Sequence, residues 1–388
     1  MLRGIYLPRS MDAGAFAMTT YGIPLLVFAT TNSATLTGLA FALEWIPRLG
    51  AFALAGTMTD RYGTTRVFRL ASAMRAVVVL AAALALPELR GGLSTTITVM
   101  ALAASTGVLT EFSYIAAETA GGVASRAAGE RAHRVQSVLL GIDQVGTLAG
   151  PALAGLLLER AGASGMLTTI AAFSLLACAF APRQYARQRP AASESVLKGL
   201  HTGWTTLKSL PALAWLITGL TLSNLAVGLL QAAAPMVVVK QLGHSSADVG
   251  VVWSVAVCRR AIDRWGLWPV GALSAGIAAS ACLAVSLTRT YTAYLVLIAV
   301  LMASEGGMTV VLRTLRSNLI PAAVSGSTLS LTILLLLLPF PVAGLLIAAV
   351  PATLLGHVIT GCAVLQALGL FIAFARLRTL PGLRASFA

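Results

Sequence analysis

The chain reads as a succession of long apolar runs separated by short polar breaks. A helix needs roughly 20 consecutive apolar residues to cross the hydrocarbon of a bilayer. Runs at about 11–30, 36–56, 67–87, 93–117, 135–158, 165–182, 210–239, 249–262, 267–287, 291–312, 327–350 and 353–375 are candidate spans. The expected fold is therefore all-α and integral to a membrane, with twelve transmembrane helices. The first run continues into a full-length span, so it does not read as a cleavable signal peptide. The eighth run stands apart. Val249 to Ile262 gives about 21 Å of helix at 1.5 Å per residue, short of a ~30 Å core.

Composition agrees with the pattern. Hydrophobic residues make up 57% of the 388 and charged residues only 10%, whereas a soluble domain carries about 25% charge. Most of the surface must face lipid. The net charge of +14 does not point to nucleic acid, because the basic residues sit in short clusters between apolar runs rather than in one patch. Cys178, Cys258, Cys282 and Cys362 all lie in or beside apolar stretches, without CxxC spacing or a nearby histidine. They read as packing residues, with neither a metal site nor a disulfide implied.

The basic clusters set the topology. With the N-terminus inside, 21 Lys and Arg fall on the cytoplasmic side and 4 on the other: Arg90, Arg160, Lys240 and Arg289. Arg48 and Arg75 lie within spans. Positive charge accumulates on the cytoplasmic face, so both termini are expected there, in the cell inner membrane.

Residues 183–209 interrupt the apolar pattern with a basic, Pro- and Ser-containing segment. Within it Val196, Leu197, Leu200, Trp204 and Leu207 recur at helical spacing opposite Lys198, His201 and Lys208, which suits a short helix on the anionic leaflet. The expected organisation is a six-helix bundle over 1–182, a cytoplasmic linker over 183–209 and a second six-helix bundle over 210–388. The halves echo each other. Pro24 corresponds to Pro235 and Gly38 to Gly250, at offsets of 211 and 212, and Thr59–Gly63 (TDRYG) corresponds to Ile262–Gly266 (IDRWG) at 203. The drop implies nine residues missing from the eighth span. Paired halves of this kind place a substrate site between them near the midplane.

Two motifs carry a family resemblance. The loop Gly56–Arg66, GTMTDRYGTTR, resembles the signature loop of the major facilitator superfamily. Gly56 is expected to allow close helix approach, Asp60 to accept charge-assisted hydrogen bonds from Arg61 or Arg66, and Gly63 to permit the turn into the third span. Met58, Thr64 and Thr65 depart from the usual pattern. Asp263, Arg264 and Gly266 repeat the motif in the second half. The run Gly141–Leu157 contains Gly146, Gly150, Pro151 and Gly155, and resembles the antiporter motif of the superfamily's multidrug and siderophore exporters. There Ala154 replaces a glycine and Ser137 stands where an earlier one is usual. Small residues at this spacing make a groove for a neighbouring helix, and Pro151 favours a bend. The resemblance implies two six-helix halves rocking about a central cavity.

Ionisable groups at membrane depth are expensive and mark functional candidates. Glu44 and Arg48 share one face of the second span, four residues apart, as an internal salt bridge or a functional pair. Arg75 lies in the third span, Glu111 and Glu118 in the fourth, Asp143 in the fifth and Glu305 in the tenth, with Asp12 near the cytoplasmic interface. Desolvation favours the protonated carboxyl, so Glu44, Glu111 or Glu305 is a candidate proton carrier. Asp143, on the glycine face, is as readily a structural partner, and Glu118 reaches toward the interface. His357 is expected to make a packing hydrogen bond.

No nucleotide-binding GxxxxGK[ST] loop and no HExxH or paired-histidine arrangement occurs, which disfavours ATP-driven transport and an intramembrane enzyme. The expected function is secondary transport of a small amphipathic molecule, with proton-coupled export of a drug, siderophore or metabolite ahead of proton-coupled uptake. No cofactor is expected beyond a proton gradient, and the partners are a small-molecule substrate and the lipid bilayer, with the chain monomeric. A transport-defective family member is the third reading, carried by the short eighth span.

Overall fold

Gly63 and Gly162 mark the points where the first part of the chain reverses, and both hold positive φ, at 88° and 68°. That region of backbone space is open to glycine at little cost. The computed structural model describes residues 2–89, 92–127, 132–181, 196–243, 245, 267–320, 325–351 and 353–380, and among these no strand occurs. They divide into two compact units, Met1–Ser193 with Ala232–Ser254, and Glu194–Gln231 with Val255–Ala388.

The first unit contains α1 (Leu7–Thr31), α2 (Ala34–Tyr62), α3 (Thr64–Ala85), α4 (Leu93–Ala127) and α5 (Ala132–Phe180). Asn32 ends α1 in the left-handed region, its N–H bonded to the Phe28 carbonyl, and Ser33 caps α2 by accepting from the Leu36 N–H. At 49 residues α5 is too long for one crossing, and Gly162 breaks it with ψ −173°. Its two segments run in opposite directions along α1. Ala13 and Ala17 meet Gly146 and Gly150 in order, while Gly22 meets Met166 and Gly14 meets Phe173 in reverse order. The fifth and sixth expected spans are thus a hairpin closed at Gly162.

Packing inside this unit places small or polar residues inward and large apolar ones outward. On α3, Ser72 and Arg75 are fully buried, whereas Leu70, Met74, Val77 and Leu84 are exposed. A helix built this way suits hydrocarbon on its outer face. Met18, Ile23, Leu26, Val79, Leu102, Met166 and Ile170 form the apolar core that α1, α3, α4 and α5 share.

The second unit holds α6 (Val196–Ser209), most of α7 (Pro211–Pro235), α8 (Leu267–Leu287), α9 (Tyr291–Leu319), α10 (Ser325–Leu337), α11 (Pro339–Ala349) and α12 (Leu355–Thr379). On α6, Leu207 is buried, while Trp204 is exposed with the Lys208 ammonium 5.1 Å from its ring centroid. The span expected at 327–350 is one apolar crossing, Leu331–Ala349, broken at Pro339 into two helices. Proline has no N–H, so Pro339 leaves the Leu335 carbonyl without its helical donor. Thr221 and Asn224 of α7 donate to the Leu335 and Leu336 carbonyls at 3.4 and 2.8 Å, which satisfies the break from a neighbouring helix. His357 is exposed near the start of α12 rather than packed. An open apolar groove of about 540 Å³ runs between α8 and α9 past Leu273, Gly276 and Val300, without a charged residue in its lining.

Nine helical segments among the described residues are long and apolar enough to cross a membrane. The eighth expected span, with Asp263, Arg264 and Gly266, lies outside the described residues.

Candidate functional site

Arg9, Arg48 and Arg75 of the first unit are each buried and each paired with carboxylates among α1, α2, α3, α4 and α5. Asp12 is buried within the bundle. Its carboxylate accepts from Arg75 Nη2 at 2.7 Å, while Arg75 Nε and Nη1 donate to the hydroxyls of Ser174 and Ser113. One guanidinium from α3 therefore ties α1, α4 and the second segment of α5 together. Arg9 stands one turn before Asp12 at the same end of α1. It donates from Nε and Nη2 to both oxygens of Asp143 at 2.7 Å and from Nη2 to Glu118, with its guanidinium 5.3 Å from the Tyr114 ring centroid. Asp143 is thus a partner of Arg9, and the half-exposed Glu118 is a second one.

Glu44 and Arg48 do not pair with each other. Arg48 Nε donates to Glu111 of α4, both residues buried. The guanidinium also lies over two aromatic rings, 4.8 Å from the Phe16 centroid and 4.3 Å from that of Trp45. Phe16 in turn stacks in a tilted arrangement on Tyr114 at 5.8 Å. The rings hold the guanidinium by cation–π attraction. Glu44 is fully buried, and neither carboxylate oxygen has a hydrogen-bond partner among the described residues. The Thr20 hydroxyl stands near it, outside hydrogen-bond geometry. Arg48 Nη1 is likewise buried and unpartnered.

The close approach of α2 to α4 comes from Gly107. A Cβ there would stand 2.1 Å from the Glu44 carbonyl oxygen, so a side chain on α4 is excluded where the two helices cross. Neither Gly107 nor the aromatic bed of Phe16, Trp45 and Tyr114 stands out in the sequence; the small-residue rule for membrane helices was the one available signal. In the antiporter-like motif, Gly146 and Gly150 do what their spacing implies: added Cβ atoms would lie 2.9 Å from the Ala13 Cβ and 2.4 Å from the Ala17 Cβ. Pro151 is buried inside α5, and Gly155 lies on the same segment.

The signature loop is only partly as expected. Gly63 makes the turn, its N–H bonded to the Thr59 carbonyl. Gly56 is not a point of close approach, because nothing described lies within 4 Å of where its Cβ would be. Arg61 and Arg66 are exposed, Arg61 with its guanidinium 5.4 Å from the Tyr62 ring centroid. Asp60 occupies the last turn of α2, and its side chain is outside the described set.

Among its described residues, the second unit offers one carboxylate, Glu305, within the helices. Glu305 of α9 accepts from the Ser223 hydroxyl of α7, whose oxygen accepts from Gln366 Nε2 of α12 at 2.6 Å. Ser223 and Gln366 are fully buried, and no cation among the described residues pairs with Glu305. No group of three His, Cys, Asp or Glu among the described residues is placed to hold a metal ion.

Comparison with known proteins places this architecture. Among solved structures, the chain is similar to a bacterial homologue of the human lysosomal transporter Spinster in an inward-facing, unoccupied conformation. Identity is 12%, coverage 99% of this chain and 98% of that one, and the TM-score 0.68. A bacterial homologue of the iron transporter ferroportin, inward-facing, matches at 17% identity, with 97% and 98% coverage and TM-score 0.66. The POT family transporter PepTSo matches at 11% identity, with 96% and 97% coverage and TM-score 0.71. No curated protein sequence matches significantly. The sequence profile of the Major Facilitator Superfamily matches residues 9–343. The chain therefore belongs to the Major Facilitator Superfamily, as a multi-pass membrane transporter and not an enzyme.

Proposed function

We propose that this transporter exports a small amphipathic organic molecule by alternating access, in exchange for protons entering the cell. Glu44 is the first carrier and Glu305 the second candidate. The observation behind this reading is the isolation of Glu44. Asp12, Glu111, Glu118 and Asp143 each bond an arginine, and among the described residues of the first unit Glu44 is the one buried carboxylate that lacks a hydrogen-bond partner. An ionised carboxylate buried without a partner is costly, and binding a proton removes that cost. Glu111, the third candidate, is already committed to Arg48, which makes it a poorer carrier.

The export direction rests on the antiporter-like packing of Gly146 and Gly150 against α1. Phe16, Trp45 and Tyr114 supply an aromatic surface fit for an amphipathic molecule. With the basic loops inside, both termini lie in the cytoplasm and the protein sits in the cell inner membrane as a single working chain.

Comparing culture supernatants of deletion and overproducing strains by mass spectrometry would identify exported compounds. Everted vesicles then measure uptake of the compound so found while a pH gradient is imposed or collapsed. Uptake that follows the gradient in the wild type, and is lost in Glu44→Gln or Glu305→Gln, supports the reading. Gradient-driven uptake that persists in both variants rejects it.

A further inference from the structure

Arg48 stands between two carboxylates and bonds one of them. Its Nε donates to Glu111 across the α2–α4 contact, while its Nη1 is buried with nothing to bond. Glu44 lies one helical turn behind it on α2, in the order, carboxylate before cation, that favours pairing on a helix. Groups four residues apart on one face have Cβ atoms about 5–6 Å apart, within reach of an arginine fork. The geometry therefore permits a Glu44–Arg48 bond, and the structure does not contain one.

We propose that Arg48 is a positioning residue shared by Glu44 and Glu111, and that proton binding at Glu44 decides which of them holds it. This rests on the reading of Glu44 as a proton carrier. With a proton on Glu44, the neutral carboxyl makes no claim on the guanidinium and Arg48 bonds Glu111, which is the arrangement seen. When the proton leaves Glu44 for water, the O–H bond breaks, its electron pair stays on the carboxylate, Arg48 Nη1 becomes its donor, and the hydrogen bond from Arg48 Nε to Glu111 is given up. No other covalent bond is made or broken.

Three features make the exchange local. Phe16 and Trp45 flank the guanidinium, so its stem stays in place while the donor end changes partner. Gly107 fixes the separation of α2 from α4, which keeps Glu44 and Glu111 at a constant spacing. The charge count of Glu44, Glu111 and Arg48 is one negative in excess, and one proton balances it. The groups acting on Glu44 are Arg48 from its own helix and Thr20 from α1, while Glu44 in turn acts on Tyr21 of α1. From α4 the charged group in the cluster is Glu111. Because Glu111 sits on α4 and Glu44 on α2, each proton cycle alternately ties and frees the two helices.

The proton itself serves as the probe, so no substrate is needed. The full-length protein in detergent is titrated while infrared difference spectroscopy follows the protonated-carboxyl C=O band, in the wild type, Glu44→Gln and Glu111→Gln. In the wild type one such band, besides any that is lost in Glu305→Gln, should titrate, and Glu44→Gln should abolish it. Glu111→Gln removes the competitor and leaves Arg48 permanently available to Glu44. Proton affinity at Glu44 should then fall about 10-fold or more, as for a carboxylate gaining a guanidinium partner. Glu111→Asp withdraws the carboxylate from Arg48 by one methylene and keeps its charge. It should shift the band in the same direction by less, and it serves if the amide variant does not insert. A band that disappears in Glu44→Gln yet stays within about 2-fold of the wild type in both Glu111 variants overturns the sharing of Arg48 and leaves Glu44 as carrier. A titrating band that survives Glu44→Gln and Glu305→Gln combined removes the carrier, and the present inference with it.

Discussion

Arg48 bonds Glu111, 63 residues away on another helix, and not Glu44, one turn behind it on its own. Sequence spacing alone pairs Arg48 with Glu44, because four residues make one helical turn. Tertiary packing reverses that choice by bringing α4 against α2 at Gly107 and by laying Arg48 on the Phe16 and Trp45 rings. Helical proximity is a weak force beside a second carboxylate, a desolvated setting and two aromatic faces.

Gly107 should be intolerant of even one methyl group. Gly107→Ala places a Cβ 2.1 Å from the backbone oxygen of Glu44, and a backbone atom cannot move aside cheaply. A loss of roughly 1–3 kcal/mol or more is expected for overpacking, read as a fall in Tm in detergent. Gly56→Ala, at a position with open space, should leave Tm unchanged. Equal losses in the two variants would contradict the assignment.

Asp12 and Arg75 should behave as one unit. Asp12→Asn leaves the fully buried Arg75 guanidinium without its carboxylate, and removing one partner of a buried pair costs about 3–5 kcal/mol. Asp12→Leu combined with Arg75→Met removes both charges and should be closer to wild-type stability than either single change. The readout is the folded fraction against denaturant in detergent. Additive losses in the double variant would count against an interaction between them.

The antiporter-like motif should act through α1. Gly150→Ala collides with the Ala17 Cβ at 2.4 Å, and Ala17→Gly makes room for it. Cross-linking yield between cysteines placed on α1 and α5, together with Tm, should fall in Gly150→Ala and recover in the double variant. Recovery is the decisive result, since a defect caused by altered helix propensity alone would remain.

Lys240 should steady the end of α1. It belongs to the π-helical turn Met236–Gln241 that continues α7, and its ammonium donates to the Asn32 carbonyl at 3.0 Å and stands 5.4 Å from the Phe28 ring centroid. A cation at a helix C-terminus is favourable by about 0.3–1 kcal/mol. Hydrogen exchange over residues 28–32 should therefore quicken by about 2- to 5-fold in Lys240→Met and change little in Lys240→Arg. Equal exchange in all three proteins would show that the contact does not hold the helix end.

Much of the architecture was readable from the sequence because the bilayer imposes a simple rule. Backbone groups in hydrocarbon must bond within their own segment, so long apolar runs become helices and their breaks become turns. Gly63 and the turn near residue 160 were legible for that reason, as were Gly146 and Gly150, whose spacing selects one helix face. The division of 327–350 into two helices was hinted at by Pro339, but its stability comes from Thr221 and Asn224, more than a hundred residues earlier. Which charges pair could not be read at all. Every anion of the first unit at membrane depth has several cations within chain reach, and only helix packing selects Arg9 for Asp143, Arg75 for Asp12 and Arg48 for Glu111. The sequence by itself determined which residues are too polar for lipid. The tertiary structure decided which carboxylate was left over, because an ion pair needs both partners within about 4 Å in a place where water cannot substitute.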